Sequence, residues 1–166
     1  MTEKIKTEKE TLIPSETYND AYFMRRALSL AEKAAAADEV PIGCVIVRDG
    51  EVIAEAANSR EIDKCATHHA EILAIERACA ALGGWRLPNT TLYVTLEPCP
   101  MCAGAAIHAR IPRVVFGAYD KRFGALGSLT DLSEMEFNHK PSVTGGVLEE
   151  ECRTVLTEYF RKKRIK

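Results

Sequence analysis

The chain has 166 residues, a formal net charge of −2, 46% hydrophobic residues and 28% charged residues. This size and composition suit one globular domain with its own core, and they exclude collagen-like, disordered and membrane-embedded chains. No apolar run reaches the length of a membrane span, so we expect no membrane partner. The N-terminal sequence MTEKIKTEKETLIPSET lacks the apolar core of a secretion signal, which predicts a cytoplasmic protein.

The sequence predicts alternating helices and strands. In chain order these are a helix at 20–37, strands at 42–47 and 51–57, a helix at 68–82, a strand at 91–96, a helix starting near 99, a strand at 114–117, a short helix near 132, a strand at 143–147 and a helix at 148–163. Asn19 or Asp20 can cap the first helix, and Asp49-Gly50 is a strong hairpin signal. This order predicts an α/β fold with a mixed sheet covered by helices on both faces. We expect a single domain at 18–166, preceded by a flexible extension at 1–17.

Two stretches carry the residue types of a metal site. Cys99 and Cys102 have the C-x-x-C spacing of a metal clip, which a redox dithiol shares. His69 supplies an imidazole, although the adjacent His68 could take its place. One His and two Cys leave a fourth zinc position for water, which is typical of catalytic rather than structural zinc sites. The alternative is a C-x-x-C pair and an unrelated histidine at the start of a helix.

Glu71 lies two residues after His69. Residues at this spacing point in different directions on a helix, so the two side chains should not both bind one metal. A mobile carboxylate beside a metal site can instead transfer protons. The alternative is an acidic residue that stabilises the start of a helix.

The combination of H-A-E and P-C-P-M-C is typical of the zinc-dependent nucleobase deaminases. Within them the chain resembles the bacterial tRNA adenosine deaminases from about residue 21 to its C-terminus. The matching segments are EVPIGCVIV, HAEILAI, TLYVTLEPCPMCAGAAIHARIPRVVFGA, GALGSL, FNHK and EEECRTVLTEYFRKKR. The resemblance implies a cytidine-deaminase-like three-layer α/β/α sandwich with a mixed five-stranded sheet. It also implies hydrolysis of adenosine to inosine at the wobble position of a tRNA anticodon loop.

The resemblance also assigns roles to residues. It implies one Zn²⁺ per chain with three ligands, His69, Cys99 and Cys102. It implies that Glu71 shuttles protons and that Asn58 contacts the target base, although an asparagine there could simply form a turn. It places three residues around the anticodon nucleotides: Asp120, Asn138 and Phe160. It further implies a homodimer, with the helix around 103–109 near the two-fold axis. One departure is the lead-in Cys65-Ala66-Thr67-His68, where family members often have Asp-Pro-Thr-Ala.

The residues alone leave other functions open. A deaminase of a free base or nucleoside, of guanine or cytosine type, would use the same ligands and glutamate. A zinc-stabilised RNA-binding module without catalysis is disfavoured by the open fourth position. A toxin-like or DNA-acting deaminase has no secretion or partner segment here. The last six residues, RKKRIK, hold five positive charges, which could contact phosphates or complement the dipole of a helix C-terminus.

Overall fold

A computed structural model describes residues 19–165. The strands are β1 (Gly43–Arg48), β2 (Glu51–Ala57), β3 (Thr90–Leu96), β4 (Arg113–Ala118) and β5 (Ser142–Thr144). The helices are α1 (Asp20–Ala36), α2 (Ala70–Leu82), α3 (Pro100–His108) and α4 (Glu149–Ile165). The strands form one sheet in the order β2-β1-β3-β4-β5. β1 is antiparallel to both β2 and β3, whereas β3, β4 and β5 are parallel. The predicted mixed five-stranded sheet is confirmed.

Helices cover both faces of this sheet because side chains alternate along its strands. On β1, Val45 and Val47 face the cluster that contains α1 and Cys152 of α4. Cys44 and Ile46 face the opposite cluster, which contains residues of α2 and α3. The predicted three-layer α/β/α sandwich is therefore confirmed.

Helix α1 packs closely on the sheet. Asn19 caps the helix, as predicted, because its side-chain oxygen accepts a hydrogen bond of 3.1 Å from the backbone N–H of Tyr22. A Cβ atom on Gly43 would collide with the backbone carbonyl of Ala27 in α1. A glycine at the start of β1 thus lets the helix and strand backbones approach each other.

Several element boundaries differ from the sequence predictions by one to three residues. α2 begins at Ala70 rather than residue 68, because His69 has an extended backbone and forms its N-cap. β5 ends at Thr144 rather than residue 147, since Gly146 adopts a left-handed φ of 82° that turns the chain away. The predicted short helix near residue 132 is a single 3₁₀ turn, Leu132–Glu134.

The edge of the sheet at the carboxyl end of β3 is suited to a functional site. β3 ends at Leu96, directly before the segment that leads into α3. In open α/β sheets, ligands bind beyond the carboxyl ends of the strands. Over residues 19–165, no helix is long and apolar enough to cross a membrane. The predicted extension at 1–17 lies outside the described residues, and the single domain at 18–166 stays a prediction.

Candidate active site

The N-termini of α2 and α3 meet at this edge. His69 is the N-cap of α2, Cys99 is the N-cap of α3, and Cys102 lies in the first turn of α3. The Nδ1 atom of His69 lies 3.8 Å from Sγ of Cys99 and 3.5 Å from Sγ of Cys102. Within the described part of the chain, these three residues form the group that could hold a metal ion, with ligand atoms within 4.8 Å of one another. His69 was expected inside the first turn and instead precedes it.

The donor set fits a tetrahedral ion such as zinc. At the usual bond lengths, tetrahedral zinc holds a sulfur and a nitrogen ligand about 3.6 Å apart, close to both observed separations. The neighbouring Cys102 thiol lowers the pKa of Cys99 to about 4, and the interaction with Cys99 raises the pKa of Cys102. A divalent cation bound between them would replace the thiol protons and leave two thiolates.

His68 points away from this group. Its Nδ1 atom lies 2.8 Å from the carboxylate of Asp63, which also accepts a hydrogen bond of 2.5 Å from Ser59. That pairing raises the pKa of His68. The structure therefore brings His69, and not its neighbour, to the thiols.

Glu71 is buried beside the same group, with only 4% of its surface exposed. Burial raises the pKa of its carboxyl group, and a hydrogen bond with Cys102 acts in the opposite direction. A carboxyl group with a raised pKa is better suited to exchange protons near neutral pH. The predicted ligands and the predicted proton carrier thus lie together.

A cavity of about 430 Å³ opens onto Glu71, His69 and Cys99. Its volume falls within the range of small-molecule sites. The apolar part of its wall comes from Ile42, Ala66, Leu96, Pro100, Met101 and Phe123, and the polar part from Arg60, Glu97 and Asp120. Such a wall suits a flat aromatic ring that carries a few polar edge groups.

Two buried glutamates that sequence reasoning missed hold the loops around the cavity. Glu39 is 1% exposed and accepts a hydrogen bond of 2.6 Å from the backbone N–H of Ile62. Glu97 is 2% exposed and accepts hydrogen bonds from the loop that follows β4. The sequence signal was a glutamate close to an apolar strand, because Glu39 lies four residues before β1 and Glu97 directly follows β3.

Asn58 and Asp120 lie near the cavity but already have protein partners. Asn58 is 6% exposed, and its side-chain amide donates to Glu39 and to the carbonyl of Val40. Asp120 lines the cavity, and its side chain accepts hydrogen bonds from two following backbone N–H groups. Asn138 lies on an exposed loop, and Phe160 on α4 is 46% exposed. Neither belongs to the cavity lining. Nucleotide contacts by these four residues stay predictions.

Comparison with known proteins supplies the family. Residues 18–164 match the family of MafB19-like deaminases, so the chain is a member of it. The tRNA-specific adenosine deaminase of Bacillus subtilis is 52% identical over 148 residues, which cover 89% of this chain and 92% of that protein. The chain belongs to the tRNA-specific adenosine deaminase family. A second family member, from Streptococcus pyogenes serotype M1, is 45% identical over 153 residues, which cover 92% of this chain and 90% of that protein.

Solved structures agree with this assignment. One comes from studies of A-to-I editing by tRNA:A34 deaminases at the wobble position of transfer RNA. It is 47% identical, with a TM-score of 0.78, and covers 81% of this chain and 99% of its own. The guanine deaminase of Bacillus subtilis is 38% identical, with a TM-score of 0.60, and covers 69% of this chain and 73% of its own. Deaminases of different purines therefore share the fold of this tRNA-specific adenosine deaminase family member.

Proposed function

We propose that this chain is a zinc-dependent tRNA deaminase that hydrolyses adenosine to inosine at the wobble position of an anticodon loop and releases ammonia. One observation carries the proposal: a His-Cys-Cys group and a buried glutamate face one cavity in a chain that is 52% identical to a tRNA-specific adenosine deaminase. The enzyme works in the cytoplasm, and residues 18–166 form its single catalytic domain.

His69, Cys99 and Cys102 would hold one zinc ion. Two thiolates and a neutral imidazole would balance the charge of the ion, and three protein ligands would leave water as the fourth ligand. When bound, zinc supplies Lewis acidity, which makes water a nucleophile at neutral pH. The N-cap positions of His69 and Cys99 support this role, because the His69 Nδ1 atom lies 3.8 Å from the Cys99 Sγ atom there.

Glu71 moves the protons. The reaction adds water at C6 of adenine, places a proton on N1 and expels the exocyclic amine as ammonia. A single carboxyl group can accept one proton of water and deliver it to N1, and can then take the proton of the new C6 hydroxyl and transfer it to the departing amine as the C6 carbonyl forms. The burial of Glu71 supports this role, since a carboxyl with a raised pKa holds a proton more readily than one in water.

The target is a nucleotide in a loop, because an unpaired base enters a pocket at lower cost than a paired one. The apolar cavity wall takes the base, and Asn58 contacts its edge. Asp120, Asn138 and Phe160 contact neighbouring nucleotides. The exposed C-terminal part of α4 carries cations that can meet phosphates: Arg161, Lys162, Lys163 and Arg164.

The enzyme acts as a homodimer. A groove between α2 and α3 is lined by Ile75, Cys79, Trp85, Ala105 and His108, among others. Trp85 is 54% exposed beside it. Among the described residues outside α3, none has an atom within 4 Å of a Cβ atom placed on Gly104, so this part of α3 can approach a second helix closely. These features support an interface at the helix around 103–109.

A deaminase of free bases is the second candidate, favoured by the similarity to a guanine deaminase. The test compares inosine formed in bulk tRNA with ammonia released from free guanine, cytosine and adenosine by the zinc-loaded protein. We expect inosine in tRNA and little ammonia from the free compounds. Ammonia from a free base without inosine in tRNA would favour the second candidate.

A further inference from the structure

The loop between β4 and the 3₁₀ turn forms one wall of the active-site cavity. Asp120 and Phe123 of this loop line the cavity, and Phe123 is 63% exposed. The loop contains no helix or strand of its own up to residue 125. Something other than regular secondary structure must therefore hold it in place.

Glu97 supplies that support. Its Oε2 atom accepts hydrogen bonds from the backbone N–H of Asp120 at 3.0 Å and from the hydroxyl of Ser128. Its Oε1 atom accepts from the backbone N–H groups of Leu126 at 3.2 Å and Ser128 at 2.9 Å. Four donors thus occupy the four acceptor sites of one buried carboxylate.

The loop packs closely against Glu97. A Cβ atom on Gly124 would collide with the Glu97 carboxylate and with the backbone carbonyl of Asp120. The loop also closes on itself, because Gly124 donates to the Asp120 carbonyl at 2.8 Å, and Ala125 donates to Pro98 at 2.8 Å. The loop is therefore wrapped around the Glu97 side chain.

Glu97 lies two residues before the predicted ligand Cys99, in the segment that connects β3 to α3. The Glu97 side chain therefore joins the segment that carries the two predicted cysteine ligands to the loop that forms another part of the cavity wall. We infer that Glu97 is a positioning residue that holds the 120–128 loop in a preformed conformation for the tRNA nucleotides around the target adenosine. The inference rests on the proposed function for its substrate, and it assigns Glu97 no part in the chemical step.

Replacing Glu97 with glutamine should break one particular hydrogen bond. Each carboxylate oxygen of Glu97 accepts from two donors, so the NH₂ group of the glutamine must replace one oxygen and then face two donors. At the Oε2 position the hydroxyl of Ser128 can turn and accept a hydrogen bond from that NH₂ group, whereas the backbone N–H of Asp120 can only donate. We therefore expect the amide to place its NH₂ group at that position, which leaves the Asp120 N–H without its partner.

The test measures E97Q, E97D and the exposed-glutamate control E134Q as zinc-loaded full-length proteins. In E97Q we expect amide hydrogen exchange in the 120–128 loop to quicken, with the Asp120 amide most affected. We expect the KM for tRNA to rise about tenfold, because a smaller fraction of the protein has the competent loop. We expect kcat to change by less than about threefold, since Glu71 and the metal group are untouched. E97D, which keeps the charge, should recover part of the KM effect, and E134Q should match the wild type.

Unchanged exchange and unchanged KM in E97Q would overturn the inference. So would a joint loss of kcat, zinc and thermal stability, which would show that Glu97 only supports the fold. If the wild type itself fails to deaminate tRNA, the proposed function fails, while quickened exchange at Asp120 would still show that Glu97 holds this loop.

Discussion

At the scale of single residues, Glu71 and the exposed Glu76 provide a matched comparison on one helix. We expect Glu71→Gln to keep the fold and the metal but to lower kcat by at least about 100-fold, because the amide cannot carry the protons. Inosine formation and zinc content are measured on the same preparation. Glu76→Gln, on the solvent face of α2, should behave as the wild type. Normal turnover by a folded, zinc-loaded Glu71→Gln protein would remove the proposed proton carrier.

The cysteines allow a second comparison of this kind. Cys102→Ala removes a thiol from the group that could hold a metal, whereas Cys65→Ala removes one outside that group. We expect Cys102→Ala to lose the metal. With free zinc at about 1,000 times its Kd, zinc binding should stabilise the wild type by about 4 kcal/mol, and Cys102→Ala should lack this stabilisation. Cys65→Ala should keep both. Zinc per chain by elemental analysis and unfolding with and without chelator measure this, and full zinc retention in Cys102→Ala would contradict the ligand assignment.

The residues that sequence could predict are those whose chemistry depends on local spacing. His69, Glu71, Cys99 and Cys102 belong to two short motifs, and the structure brings all four together. Glu97 could not be assigned a role in the same way. Its hydrogen-bond partners lie 23 to 31 residues away, and they are mostly backbone groups, which carry no residue-type signal.

At the scale of elements, an ion pair fastens the start of α1 to β4. The carboxylate of Asp20 accepts two hydrogen bonds of 2.7 Å from the guanidinium of Arg113 and one of 2.9 Å from Tyr93. The hydrogen bonds from Arg113 hold the pKa of Asp20 below its ordinary value of 3.8, against the opposing effect of burial. We expect Asp20→Asn to lower the free energy of unfolding at neutral pH by about 1–2 kcal/mol.

The pH dependence of that difference follows from the sign of the shift. A carboxyl group with a lowered pKa in the folded state stabilises the protein fully above its unfolded pKa. This contribution is lost as the pH falls below 3.8 and through the folded pKa. In urea unfolding, the difference in the free energy of unfolding between the wild type and Asp20→Asn should therefore be constant from neutral pH to about 5. Below that pH this difference should shrink. Glu32→Gln, on the exposed face of α1, serves as the control, and a difference that grows on acidification would contradict the assignment.

Element order was predictable, but some boundaries were not. Hydrophobic periodicity and the Asp49-Gly50 turn predicted the strands and helices, and β2 matches its predicted bounds. The end of β5 depends on the two glycines that follow it: Gly146 turns the chain with its left-handed φ of 82°, and Gly145 passes so close to the ring of Phe116 on the neighbouring strand that a Cβ atom would collide with it. The start of α2 depends on the extended backbone of His69, which directs the imidazole to the thiols.

At the scale of the whole molecule, the proposed homodimer can be tested on the outer face of α3. Within residues 19–165, and apart from the adjoining residues and the backbone of α3 itself, no atom lies within 4 Å of a Cβ atom placed on Gly104, so a single subunit can accommodate Gly104→Arg. A second helix packed against this position could not. We expect light scattering at micromolar concentration to give a dimer mass for the wild type and for Ser29→Arg on the exposed face of α1. Gly104→Arg should give a monomer mass, and a monomeric wild type would exclude the dimer.

The proposed substrate is adenosine at the wobble position of a tRNA anticodon loop. The most direct measurement is product formation by the zinc-loaded enzyme on one anticodon stem-loop with adenosine at that position, on the same stem-loop with cytidine there, and on free adenosine, cytosine and guanine. In the stem-loop, phosphates can contact the cations of α4 while the splayed base enters the cavity. A free base can enter the cavity but has no phosphates for these cations. We expect inosine from the adenosine stem-loop and at least about 100-fold lower kcat/KM on every other substrate. Efficient turnover of a free base, with no inosine in the stem-loop, would contradict this assignment of the substrate.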